Sequence, residues 1–238
     1  MISAPWIGHP IIARFGPSSN FDVTVSQDAP MKVKTRDRIL NTSLALFNSL
    51  GEPNVTTLLI SDELDISPGN LYYHFNSKGD IVSRLFEAYE QELLDLLNVP
   101  EDVVIDLDQL GIFLHLLFEA VARYRFLYQD LVNVLSRYDS LQRHFRKLLK
   151  KKELAFLTLC NSLKNQKVMR ISESELDSLC QQLNLTLCYW VSFDSLYHMN
   201  DRDAVNPGRG VYQMMHLLAP FLGEDERQQV LALSEDYF

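Results

Sequence analysis

Apolar residues recur every three or four positions along most of the chain, and no stretch of useful length alternates apolar with polar. That period predicts helices and no sheet. From Lys34 to Leu50 the stripe is Ile39, Leu46, Phe47 and Leu50, with small Ser43 and Ala45 between. Gly51 is placed to cap this helix and "EPN" to stop it. Thr56 or Thr57 caps a second helix, "LLISDELD", with Leu59, Ile60 and Leu64 inward. After the turn "DIS", Ser67 caps a third helix whose first position is Pro68, where a missing N–H costs nothing. Its Leu71 and Phe75 fall on one face and point to the core. Ser77 with Asp80 reads as a capping box opening a fourth helix that runs to Leu97.

Farther on, Asp106 caps a helix with Leu110, Phe113, Leu114, Leu117, Phe118 and Val121 along one side. "YRFLYQDLVNVLSRY" predicts one further helix, and residues 139–164 a long amphipathic one. Residues 172–199 and 208–222 predict two more, separated by "NDRDAVNPGRG", and "GEDERQQVLALSEDYF" a short terminal helix. The class is all-α: a three-helix helix-turn-helix domain over 31–78, then a larger helical domain over 79–238. Residues 1–30 carry Pro5, Pro10, Pro17, Pro30 and "GPSSN", which predict little regular structure. Either they form a disordered natural arm, or Met31 is the true start.

Composition narrows the class. Hydrophobic residues are 47% and charged residues 22%, as in a soluble globular protein. No apolar stretch reaches the roughly 18 residues of a membrane span, and "MISAPWIGHPIIARFG" lacks the basic start of a signal peptide. The expectation is a cytoplasmic, nucleoid-associated protein without a membrane partner. Cys160, Cys180 and Cys188 look like buried thiols of a reducing compartment. Cys180 and Cys188 fall about 80° apart around a helix, a poor metal pair and an awkward disulfide. No metal and no cofactor are expected. His115 and His198 sit in apolar runs and read as hydrogen-bonded core histidines. There is no G-x-S-x-G elbow, P-loop, dinucleotide glycine pattern or H-E-x-x-H, so an enzyme is disfavoured and no catalytic residue is assigned. The net charge of −9 argues against coating nucleic acid, but "KVKTRDR" sets Lys32, Lys34, Arg36 and Arg38 against Asp37 alone.

Two short helices joined by a tight turn, the second capped and partly polar, form a helix-turn-helix unit. With Leu71 and Phe75 inward, Gly69, Asn70, Tyr72, Tyr73 and His74 spread over the remaining faces. A tyrosine hydroxyl reaches a phosphate with little loss of side-chain freedom, Asn70 can pair with a base edge, and Gly69 allows close approach to a groove wall. Thr57 and Lys78 flank the helix where phosphates would pass, and residues 32–38 can lie along the backbone or reach a minor groove.

"TRDRILNTSLALFNSLGEPNVTTLLISDELDISPGNLYYHFNSKGDI" resembles the N-terminal domain of the TetR family of bacterial transcriptional repressors and regulators. The matching positions are Ile39, Ala45, Leu46, Phe47, Gly51, Thr56, Thr57, Ile60, Leu64, Ser67, Gly69, Leu71, Tyr72, His74, Phe75 and Lys78. Ser61 replaces the family's usual alanine, Asp65 its usual turn glycine, and Pro68 stands where some members carry a base-reading lysine. The resemblance implies Thr57, Gly69, Tyr72, Tyr73, His74 and Lys78 at the DNA. With Lys34, Ser67, Pro68 and Asn70 they make up the candidate DNA-binding set. The alternative is that Tyr72, Tyr73 and His74 merely pack on the next domain.

The resemblance also implies that the second domain binds an effector and dimerises, the dimer reading a palindromic operator in double-stranded DNA. "LCQQLNLTLCYWVSFDSLYHM" and "VYQMMHLLAPFL" are apolar around more than one face, which suits an interface with a second copy or a deeply buried central helix. Candidate effector residues are Phe113, Leu117, Tyr124, Tyr128, Phe156, Tyr189, Trp190 and Phe193, with Cys160 and Tyr197 beside them; this lining suits a small apolar effector. "YRFLYQDLVNVL" after a Phe-rich helix is similar to the regulator beside polyhydroxyalkanoate synthesis genes, a TetR subgroup, and so implies a fatty-acyl effector. Arg123 or Arg125 could meet its anionic end, or be solvated surface charges. Arg143, Arg146, Lys147, Lys150 and Lys151 form a basic stripe that reads as a solvated face or a contact to phosphate. The rival class is a helical protein-interaction factor tethered to DNA by the same head.

Overall fold

A computed structural model describes residues 34–198 and 206–237; the expectations for residues 1–30 and for Lys32 lie outside these residues. The described residues form eleven α-helices, with single 3-10 turns at Glu52–Asn54 and Ala219–Phe221. Among them the only β contact is an isolated bridge between Met169 and Leu222.

The head is built from α1 (Thr35–Leu50), α2 (Thr57–Glu63) and α3 (Pro68–His74), with α4 (Lys78–Leu97) running on from it. Ile39, Phe47, Ile60, Leu71 and Phe75 are buried at its centre. Thr56, not Thr57, caps α2, its hydroxyl accepting from the Leu59 amide at 3.1 Å. Ser67 caps α3 by accepting from the Asn70 amide at 3.2 Å. Ser77 caps α4, but the box is displaced by one residue: the Asp80 carboxylate takes the amide of Asn76, not of Ser77. Leu50 is exposed, because the stripe closes one turn earlier on Phe47 and the half-buried Leu46.

Two of the three departures in the head are accommodated locally. Asp65 adopts φ 52°, the left-handed conformation that glycine fills at least cost, and which Asp tolerates better than most side chains. Ser61 is buried, and its hydroxyl donates to the Thr57 carbonyl at 2.9 Å, so no polar group is stranded.

The body comprises α5 (Leu107–Arg123), α6 (Arg125–Gln129), α7 (Leu131–Arg137), α8 (Asp139–Asn165), α9 (Glu173–Tyr197), α10 (Pro207–Leu218) and α11 (Glu224–Glu235). The single helix expected over "YRFLYQDLVNVLSRY" is two, α6 and α7, broken at Asp130, whose φ of −142° is not helical. Apolar periodicity continues across this break because both halves bury Phe126, Leu127, Tyr128, Leu131 and Val134, so the pattern hid it. The helix expected over 208–222 ends at Leu218 and gives way to the 3-10 turn. α5 packs on α10, α11 and α9, and α8 on α9 and α4. Gly210 lets α10 lie directly on Phe118, since a Cβ there would overlap that ring.

Two polar locks join head and body. A helix break strands carbonyls at one end and amides at the other. Asn48 on α1 satisfies one of each at the α5–α6 break, donating to Arg123 O at 2.8 Å and accepting from Phe126 N at 3.0 Å. The second lock is Glu52, 2% exposed. Its carboxylate meets Lys78 Nζ at 2.9 Å and Arg137 Nη2 at 2.6 Å, and accepts from the Tyr138 hydroxyl at 2.9 Å. Burial would raise this carboxyl. The hydrogen bonds from Lys78 and Tyr138 and the charges of Lys78 and Arg137 outweigh it and hold the group below its ordinary range.

Candidate nucleic-acid interface and effector region

α3 is short: Leu71 is buried on its inner side, and the buried Phe75 follows as its C-cap. The rest of it, apart from the half-buried His74, is presented outward. Tyr73 is 84% exposed and Tyr72 49%. Pro68, Gly69 and Asn70 are exposed, as is the capping Ser67, while His74 is half-buried with its ring edge-on to Tyr73. Neither tyrosine is a core side chain. The Tyr72 hydroxyl lies 3.0 Å from Thr57 Oγ1, which ties α3 to the start of α2 and aims both hydroxyls to one side.

The basic residues behave differently from a loose arm. α1 begins at Thr35, so Arg36 and Arg38 are already helical. The Arg36 guanidinium stacks over Phe75, 5.3 Å from the ring centre, and Arg38 reaches the Leu64 carbonyl at 3.5 Å. Lys34 is exposed at the N-cap of α1. Lys78 is half-buried, and its ammonium is held by the carbonyl and carboxylate of Glu52. A lysine so engaged has a structural role whatever else it contacts.

The candidate effector residues separate into two groups. Phe113, Leu117, Tyr124, Tyr128 and Phe156 are buried in the body, Phe113 and Phe156 edge-to-face at 6.4 Å. Tyr189 and Phe193 are exposed on α9, and Trp190 is half-buried beside Phe193. Tyr197 continues the exposed row. The two groups therefore do not line one interior space: α9 turns Cys188 and Val191 inward and this aromatic row outward.

Arg123 pairs with Glu92 at 3.1 Å on the surface, and Arg125 lines a cleft of about 490 Å³ with Thr42, Leu46, Asn48 and Glu63, between head and body. His115 and His198 are not core residues. His115 is partly exposed beside Glu119 and Tyr237, and His198 lies at the end of α9 against the Asp194 carbonyl. Apolar runs around them come from helices whose other faces are buried. The stripe Arg143, Arg146, Lys147, Lys150 and Lys151 is exposed throughout.

Several residues with a part to play carry little sequence signal. Cys160 and Cys180, twenty positions apart in sequence, are buried partners across α8 and α9; their hydrogen bond raises the Cys160 thiol and lowers that of Cys180. Lys152 is 0% exposed. Its ammonium lies 2.9 Å from the Tyr128 hydroxyl, 4.0 Å from Cys188 Sγ, and over the rings of Phe145 and Tyr128 at 5.2 and 5.3 Å. Tyr128 in turn shares a hydrogen bond with the buried Tyr89 of α4. One signal existed for Lys152: along α8 it occupies the inward position between Phe145, Leu148 and Ala155, Phe156, where the stripe calls for leucine. Among the described residues there is no cluster of His, Cys, Asp or Glu able to hold a metal ion, and no helix is long and apolar enough to cross a membrane.

Comparison with known proteins bears on both regions. Residues 39–85 match the family model described as bacterial regulatory proteins, tetR family, and residues 88–230 match the model for the TetR bacterial transcriptional repressor. The chain is similar to a TetR-family transcriptional regulator from Marinobacter aquaeolei VT8, with 34% identity, 86% of this chain and 98% of that one covered, and a TM-score of 0.77. The fold is shared with the ketosteroid transcriptional regulator KstR2 of Mycobacterium tuberculosis, at 17% identity, 82% and 98% coverage and a TM-score of 0.56. A probable HTH-type transcriptional regulator of Bacillus subtilis, YttP, is 31% identical over 67 residues, 26% of this chain; the match spans about a third (32%) of that protein's length.

Proposed function

Because the chain belongs to the TetR family of DNA-binding, ligand-responsive transcriptional regulators, which are not enzymes, we propose that it is a cytoplasmic, nucleoid-associated repressor that binds a palindromic operator as a homodimer and is released by a small apolar effector. The carrying observation is the outward presentation of Tyr72 and Tyr73 on an element pinned inside by Leu71 and Phe75. Thr57, Ser67, Gly69, Asn70 and His74 would join them in meeting phosphates and base edges, with Pro68 and Lys34 at the margins. Each head would enter one major groove, with half-site centres about 34–36 Å apart or slightly more.

Dimerisation would use the outer face of α9. Leu185, Tyr189, Phe193, Leu196 and Tyr197 form an exposed apolar stripe at helical spacing, which a second copy would cover. The effector would enter the body among the buried aromatics. It acts by favouring a head spacing that misfits the operator, for which a coupling of about 1–3 kcal/mol suffices. A fatty-acyl compound suits a lining of Phe113, Leu117 and Phe156.

Footprinting on the DNA flanking the gene tests this reading. A discrete protected palindrome that Tyr73→Ala weakens is expected. Binding that is steep in salt yet indifferent to sequence would reject it.

A further inference from the structure

Among the described residues Lys152 has no carboxylate partner. Its contacts are one phenol hydroxyl, one thiol and two aromatic faces, all from α6, α8 and α9, and it is wholly enclosed. An ammonium removed from water without a counter-charge costs several kcal/mol, and proteins retain such a group where something else balances it. The one opposing charge beside it, that of Cys188 at 4.0 Å, does not offset the burial, and the phenols add none. Tyr128 and Tyr89 are phenols whose burial pushes their ionisation well above the ordinary range, so both are neutral hydroxyls at physiological pH. The Lys152 amine itself is lowered by burial.

We propose that Lys152, with the Tyr128 hydroxyl, is the receptor for the carboxylate of an amphiphilic effector whose apolar chain lies among the body's buried aromatics. This rests on the ligand-responsive reading above and names its headgroup chemistry. A bound carboxylate completes the ion pair, accepts from the Lys152 ammonium and the Tyr128 O–H, and favours the protonated amine. No covalent bond is made or broken. The site is closed here, so the carboxylate has to part α8 from α6 and α9 around Cys188. That movement starts on the element that holds the head. Tyr128 sits on α6 two residues from Phe126, whose amide is bound by Asn48 of α1, and Tyr89 sits on α4, which continues from the head. Filling the site and shifting the head are thus linked through two hydrogen bonds.

The test uses the full chain, decanoate and the matched alcohol decan-1-ol as probes, and two readouts: thermal shift and operator affinity. Wild type should be stabilised by decanoate and not by decanol, and should lose operator affinity at least tenfold. Lys152→Met, unbranched, apolar and one atom shorter, should lose the response to decanoate, and Tyr128→Phe should weaken it several-fold; the exposed Lys150→Met should behave as wild type. Should Lys152→Met not fold, Tyr128→Phe decides. Decanoate acting equally on wild type and both variants, acting no better than decanol, or leaving wild type unmoved while the operator still binds, would overturn the assignment and leave the regulator reading standing. Absence of any operator binding would instead reject the regulator reading, and the thermal shifts would still judge Lys152.

Discussion

α3 and α8 treat polar side chains in opposite ways. α3 is seven residues long, buries Leu71, and leaves its tyrosines in solvent. α8 is twenty-seven residues long, leaves its basic stripe in solvent, and buries one lysine within its apolar stripe. On α3 polarity costs nothing, because water satisfies it; a functional role there needs only exposure and shape. On α8 the buried ammonium is an energetic liability, and a retained liability is the more informative observation. The joints between the two regions resemble α8 more than α3: Glu52 and Asn48 are buried polar residues that each find partners across the domain boundary.

The largest effect expected on this contrast comes from Glu52→Gln. It leaves Lys78 and Arg137 without their shared carboxylate, and the half-exposed partners temper the loss to about 2–3 kcal/mol, read by chemical unfolding. The wild-type contribution has a pH signature. Because the folded carboxyl is held below 4.5, its stabilisation is present above that value and is lost as pH falls through the folded pKa. The Gln variant should lack that portion of acid sensitivity; identical acid profiles would mean the lock carries no charge energy.

Next is Gly210→Ala, where the added methyl meets Phe118. A loss of about 1–3 kcal/mol is expected from overpacking, with a lower melting temperature. Tyr73→Ala should weaken operator affinity about tenfold, near 1.4 kcal/mol, at an unchanged melting temperature. A matched loss of stability would place the ring in a core after all. Lys78→Ala cannot serve as a clean partner to it, since the Glu52 lock would go with it.

Lys152→Met should stabilise the ligand-free protein by about 1 kcal/mol, as removal of an uncompensated buried charge does. A lysine lowered on folding penalises the fold while the unfolded chain still holds the proton. The advantage of the Met variant should therefore shrink as pH rises toward 10.5, the ordinary lysine value. A gap that stays constant with pH would show that the amine is not perturbed. Smallest is Asp65→Gly, which relieves a left-handed residue for a gain of about 0.5 kcal/mol in unfolding free energy.

Much of this molecule was legible in the chain itself. Helical period, caps at Ser67, Ser77 and Asp106, and the inward pairs of the head follow from local rules that act over four residues, so the sequence determined the all-α class and the outward face of α3. What tertiary structure alone decided are relations between distant residues: the break at Asp130, the burial of Glu52 and Lys152, the sharing of Asn48 between two backbones, and the outward turn of Tyr189 and Phe193. Periodicity says that a helix has an apolar side. It does not say which polar residue is trapped within that side or what lies opposite, because both depend on packing partners that chain folding brings together from far along the sequence.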